Sequence, residues 1–307
     1  MKWTKRGRIY VPDGSVSWAQ RYAFPPIPVR RDDSTLRIYC AFCDANTVGR
    51  LGYVDVDPRD PSRVLRVAER PLLDIGEPGM FDENGLLPTS ILPVGDEIYL
   101  YYVGYQLGYK VRYFQFQGLA VSRDGGESFQ RYSRVPVLDR SDAEPLNRTS
   151  AFVMRDGQRF RMWYTAGDVW TSGAGGKALP LYNLRYVESD DGKQWPSRGA
   201  VAVDFASEDE HALGRPWIYQ DRDRWRMFFS SRTRSKDYRI GYAESFDRGL
   251  SWIRKDDEIG IDVSESGWDS EMVAYASVID LEGEVVMFYN GNGCGQTGFG
   301  YAVLDSW

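Results

Sequence analysis

Five short stretches of the chain share one arrangement of apolar and polar positions, a run of β-formers ending in a pair of aromatics or close equivalents. They are Ile38 to Phe42, Ile98 to Tyr102, Phe160 to Tyr164, Trp225 to Phe229 and Val285 to Tyr289. Their last residues lie 60, 62, 65 and 60 positions apart, which fits one four-stranded unit with longer loops per repeat. A second run follows each: Leu51 to Val54, Gly118 to Val121, Leu184 to Val187, Ile240 to Ala243 and Phe299 to Ala302. Its alternation is that of a strand, not a helix. In the three middle copies this run leads into a turn: Ser122, Asp124, Gly126 and Phe129, then Ser189, Asp191, Gly192 and Trp195, then Ser245, Asp247, Gly249 and Trp252. Asp and Gly suit a tight turn, and the aromatic packs back between strands. A further short strand precedes each aromatic run, at Phe24 to Val29, Pro88 to Leu92, Ser150 to Met154, Arg215 to Tyr219 and Tyr275 to Ile279. No amphipathic helix stands out, and the one linker-like stretch is the Gly-rich segment from Ser172 to Lys177.

The repeat therefore predicts an all-β fold, a five-bladed β-propeller forming one domain over residues 1–307. The last unit runs out at Trp307, so Trp3 to Val11 is expected to supply its fourth strand and close the ring, which hides the sheet edges. The chain is 42% hydrophobic and 14% aromatic with a net charge of −6, and no basic cluster offsets that charge locally. Nucleic acid is therefore not an expected partner. No stretch approaches the roughly 20 apolar residues of a membrane span, and Met1 to Tyr10 lacks the apolar core of a secretory signal. The expected location is the cytoplasm, with no membrane partner. Three cysteines are an odd number, and Cys40 and Cys43 fall on opposite faces of a strand. Buried free thiols are expected rather than a disulfide or a zinc site. No metal-ligand set or cofactor is implied, and oligomeric state leaves no mark.

With these units in place the sequence resembles the five-bladed propeller glycoside hydrolases and phosphorylases, the group of invertases, arabinanases, β-xylosidases and mannoside phosphorylases. The resemblance covers nearly the whole chain. It is carried by the Arg-Met-Trp-Tyr type strand at Arg161 to Tyr164 and Arg226 to Phe229, and by the Tyr-x-Glu-Ser-x-Asp segments at Tyr186 to Asp191 and Tyr242 to Asp247. It implies a sugar or sugar-like substrate and carboxylates where the innermost strands meet a central pocket, one from each of the first three blades.

Nine positions before Ile27, Ile91, Val153, Ile218 and Val278 stand Trp18, Asp82, Glu144, Asp209 and Asp269; Glu83 and Glu210 lie one further on, and Gln20, Asn84, His211 and Glu271 two further. Glycosidic cleavage needs one protonated and one ionised carboxyl, which a cluster of acids can supply. The candidate catalytic residues are accordingly Asp82, Glu83, Glu210, His211, Asp269 and Glu271. Candidate substrate-binding residues are Gln20, Asn84, Arg148, Arg215, Trp170, Trp268, Tyr275 and Asn290: amides and arginines to hold polar or anionic groups, aromatics to stack on sugar faces. The first blade departs from the family pattern, because Ser17, Trp18, Ala19 and Gln20 stand where an aspartate is expected. The leading expectation is a glycoside hydrolase. A non-hydrolytic propeller is the second, either a carbohydrate-binding module or a biosynthetic cyclase, isomerase or transferase. A sialidase-like hydrolase is the third, since Ser245 to Trp252 looks like an Asp-box turn.

Overall fold

The computed structural model describes every residue except Ala174, Gly175 and Lys177, so the Gly-rich segment lies partly outside the described residues. Strands β2 (Arg21–Asp32), β3 (Thr35–Cys43), β4 (Gly49–Asp57) and β5 (Asp60–Val67), which follow β1 (Lys2–Tyr10), form an antiparallel meander. The meander recurs as β6 (Leu86–Val94), β7 (Glu97–Leu107), β8 (Tyr113–Ser122) and β9 (Gln130–Arg131). It recurs again as β10 (Asn147–Asp156), β11 (Arg159–Ser172), β12 (Ala178–Ser189) and β13 (Ala200–Val203). The next copy is β14 (Glu210–Gln220), β15 (Trp225–Thr233), β16 (Arg239–Ser245) and β17 (Ile253–Arg254). The last comprises β18 (Ala274–Leu281), β19 (Glu284–Asn290) and β20 (Phe299–Ser306), and here β1 pairs antiparallel with β20. The only α-helical turn among the described residues is α1 (Asn292–Gly295).

Every run read from the sequence falls inside one of these strands. The first strands of successive sheets touch one another in the order β2, β6, β10, β14 and β18, and β18 comes back against β2. Adjacent residues of a strand point to opposite faces, so an aromatic pair in a second strand can serve both faces of its sheet. Phe42, Tyr101, Tyr102, Trp163, Tyr164, Phe228, Phe229, Phe288 and Tyr289 are all fully buried.

The Asp-Gly turns join neighbouring sheets. In the last of them the Asp247 carboxylate accepts the Leu250 and Ser251 amides at 3.1 and 2.9 Å, and the turn then offers the Gly249 carbonyl to Trp163 Nε1 at 3.2 Å. Tyr101 donates to Gly192 O at 2.6 Å and Tyr39 to Gly126 O at 3.2 Å in the same way. Each turn therefore clips its own sheet to the second strand of the preceding one. Cys40, Cys43 and Cys294 are free thiols, the first two buried.

Candidate functional site: the axial cavity

The aligned acids do not converge. Asp82, Glu144, Asp269 and Glu210, the neighbour of the aligned Asp209, are each buried beside a cation of their own meander, whereas Asp209 itself is partly exposed and accepts the Ser235 hydroxyl. Asp82 is fully buried, its Oδ2 accepting Arg131 Nε from β9 at 2.8 Å and the Tyr102 hydroxyl from β7 at 3.0 Å. Glu144, also fully buried, accepts Arg185 Nη1 at 2.9 Å, the Tyr164 hydroxyl at 2.7 Å and the Gly199 amide at 2.9 Å, and it pairs with Arg148 Nε. Glu210 takes Arg254 Nη1 from β17 at 2.8 Å and the Ser231 hydroxyl at 2.7 Å. Asp269 takes Lys5 Nζ from β1 at 2.7 Å and the Tyr289 hydroxyl at 3.0 Å.

The rule is one acid ahead of or at the start of the first strand, one hydroxyl from the second strand, and one cation from farther out in the sheet. It explains the departure at the first sheet: Trp18 replaces the acid and Phe42 the tyrosine, and the two rings pack at 5.5 Å between centroids. An apolar pair there does the work of an ionic one. Burial pushes the Glu210 carboxyl upward, but Arg254, Ser231 and the Ala206 amide outweigh it and hold the group below its usual 4.5. It stays ionised as a structural anion.

The remaining catalytic candidates also stand away from the axis. Glu83 accepts the Gly79 amide at 2.7 Å and Gln106 Nε2 at 3.3 Å. Gln106 follows the cavity residue Tyr105, so alternation puts it on the other face of β7. His211 is buried with Nδ1 3.4 Å from Pro180 O, and burial lowers its pKa below the usual 6.5. Glu271 is exposed, and only its backbone makes hydrogen bonds among the described residues.

Several of the expected binding residues are engaged in contacts within the fold and do not line the axial cavity. Arg148 belongs to Glu144. Asn290 Nδ2 ties the fifth sheet to the first through Ala23 O at 2.7 Å. Trp268 stacks on Tyr289 at 5.2 Å, with Gly291 and Gly300 against its ring. Gln20 donates its backbone N–H to Cys43 O at 2.8 Å, and Trp170 is 39% exposed on the β11–β12 hairpin; neither lines the axial cavity.

Three expected residues do meet at the axis: Arg215, Tyr275 and, at the rim, Asn84. The cavity they share has a wide mouth of about 470 Å³ and a narrow floor of about 50 Å³. Tyr105, Tyr182, Tyr238 and Tyr275 line both parts, Arg112 and Arg232 flank the mouth, and Ser150, Thr165 and Ser230 reach the floor. No Asp or Glu lines either part among the described residues.

The Tyr182 and Tyr238 hydroxyls are 3.0 Å apart. Burial raises the pKa of all four tyrosines, so they are neutral hydrogen-bond donors at physiological pH. Burial also draws the Arg215 guanidinium down to about 10, which leaves it protonated. Cys294 sits at the mouth in contact with Tyr275, its thiol pushed up by burial.

Local backbone geometry aims these side chains inward. Each first strand has a register shift at the same place: Phe24/Ile27, Pro88/Ser90, Thr149/Phe152, Gly214/Trp217 and Ala274/Ser277. A bulge re-aims a side chain in this way. Ser150, Arg215 and Tyr275 adopt φ of 53°, 56° and 58° there, a left-handed conformation that is uncommon outside glycine. The signal was present in the sequence. Counting back three positions from the same anchors, rather than nine, gives Phe24, Pro88, Ser150, Arg215 and Tyr275. Tyr182 and Tyr238 each stand two residues before a third-strand run.

The fold defines the class first. The chain superimposes on the solved structure of a glycoside hydrolase with a TM-score of 0.69 at 19% identity, covering 98% of this chain and 91% of that one. On a thermostable family-43 glycoside hydrolase the TM-score is 0.67 at 15% identity, covering 96% and 90%. The scaffold is thus that of the propeller glycoside hydrolases. No family model matches the chain. Uncharacterized protein Rv1502 of Mycobacterium tuberculosis is 36% identical over 306 residues, spanning the whole of both chains, and this chain belongs to the same family as that protein. A shorter likeness, 37% over 81 residues, covers 24% of this chain and 26% of the β-1,2-mannobiose phosphorylase of a Thermoanaerobacter species.

Proposed function

We infer that the protein is a sugar-acting enzyme of the glycosidase-like propeller class whose substrate sits in the axial cavity, not among the column of acids. The same reading takes the five sheets as blades of one closed domain over 1–307, sealed by β1 against β20. Its place is the cytoplasm, in keeping with three unpaired thiols. The observation that carries the reading is the cavity itself. Its mouth lies in the size range of small-molecule sites, and its wall pairs aromatic faces with a few directed polar groups.

The cleavage chemistry follows from which groups are absent from the wall. Paired carboxyls act across about 5 to 10 Å, and no carboxyl lines the cavity among the described residues. Neutral phenols can give a hydrogen bond to a leaving oxygen, while the arginines suit an anionic nucleophile or substituent. The short likeness to β-1,2-mannobiose phosphorylase favours phosphate as the nucleophile over water.

The test is turnover of a panel of aryl glycosides with and without inorganic phosphate, in the wild type, Tyr238→Phe and Asp82→Asn. Tyr238→Phe is expected to lower kcat roughly 10²-fold, the usual cost of removing one hydrogen-bond donor from a developing oxyanion. Asp82→Asn is expected to lower thermal stability but leave kcat per folded molecule unchanged. The opposite pattern would restore the acids as catalysts and overturn this reading.

A further inference from the structure

Arg215 leaves β14 and crosses the axis, its Nη1 donating to the Pro88 carbonyl of β6 at 2.7 Å. β6 is not adjacent to β14, because β10 lies between them. The guanidinium therefore spans the floor instead of lying along a wall. No carboxylate stands within ion-pair distance of it among the described residues, although arginines beside the other buried acids of the fold are paired. Its nearest charge-sensitive neighbours are the rings of Tyr275, 5.8 Å from the guanidinium carbon, and Tyr105, both held neutral by burial. Arg215 is half-buried, and a partly desolvated cation with one carbonyl partner is left open to pair with an anion.

Two further observations point the same way. Thr165 Oγ1 lines the floor, is buried, and has no hydrogen-bond partner; such an orphan calls for an explanation. Arg215 also holds a left-handed φ of 56°, and strain of this kind persists where the surroundings impose it, often at ligand clamps. The floor, at about 50 Å³, is roughly a tenth of the size of the mouth, at about 470 Å³, so it suits a compact group rather than the body of a substrate. The mouth above it is large enough for a sugar ring.

We propose that the floor is an oxyanion subsite in which Arg215 and Thr165 hold a compact anionic substituent, so that the substrate is an acidic sugar: its ring in the mouth and its carboxylate or phosphate on the axis. This rests on the axial cavity being the substrate site. Guanidinium pairs with either anion through parallel N–H donors, and the experiment separates the two sources.

The anchor is tested first without any sugar. Acetate and inorganic phosphate are titrated at constant ionic strength against the wild type, Arg215→Gln and Thr165→Val, following Tm. One or both anions are expected to raise the wild-type Tm saturably, with the effect lost in Arg215→Gln and weakened in Thr165→Val. Anion responses equal in wild type and Arg215→Gln would overturn the subsite. Glucuronic acid, glucose 6-phosphate and glucose are then compared by calorimetry. At least a ten-fold preference for one acidic sugar, abolished in Arg215→Gln, is expected. If the anions depend on Arg215 but no sugar gains affinity over its free anion, the subsite stands and the sugar-acting reading fails. If glucose binds as tightly as both acids, the sugar reading survives and the subsite is refuted.

Discussion

Replacing Glu144 with glutamine separates a structural acid from a catalytic one. The side chain keeps its shape and loses its charge inside a fully buried network. Arg185 retains Asp168, whose carboxylate lies 2.8 Å away. Arg148 has no other carboxylate among the described residues and keeps only the Tyr164 hydroxyl and the Asp139 and Pro196 carbonyls. Breaking a buried ion pair by removing one partner costs about 3–5 kcal/mol, because the charge left behind stays desolvated. The entropy of unfolding is about 2.1 cal/mol/K per residue, so 307 residues give roughly 0.64 kcal/mol/K. The expected fall in Tm is therefore about 5–8 °C, read by differential scanning calorimetry, with ligand affinity at the axial cavity unchanged. A Tm within about 1 °C of wild type would mean the network is not holding the sheet and would refute the account of the acid column.

Two further outcomes follow from the same geometry. Arg215→Gly relieves the left-handed φ and removes a half-buried cation with no carboxylate partner among the described residues, so it is expected to raise Tm by a few degrees while abolishing the anion response; a drop in Tm would show that Arg215 holds the fold. Glu210 has a folded pKa below its usual 4.5, so the folded protein binds the proton less readily than the unfolded chain. Its stabilising contribution is complete above about pH 4.5 and is lost as pH falls through the depressed folded value, and the Tm gap between wild type and Glu210→Gln should narrow over that interval.

The sequence by itself determined the strands, because strand alternation and aromatic pairs are local patterns repeated at a near-constant interval. It determined the Asp-Gly turns and the use of Trp3 to Val11 as an added strand for the same reason: a strand lacking a partner must find one. It also marked the column of acids, but not their partners. Whether Asp82, Glu144, Glu210 and Asp269 face a ligand or a cation depends on where Arg131, Arg185, Arg254 and Lys5 come to lie, and those are brought in from 41 to 264 residues away.

A one-residue change of register moves a side chain to the other face of a strand. The bulges at Ser150, Arg215 and Tyr275 therefore decided what faces the axis: spacing from the anchors marks both the column nine positions back and the one three positions back, and only the bulges tell which of the two turns inward. The proposed site lies at the arginine and tyrosines instead of the acids because a desolvated charge must be either paired within the fold or left for a ligand. Only the assembled sheets show that the acids are paired and that Arg215 has no carboxylate partner among the described residues.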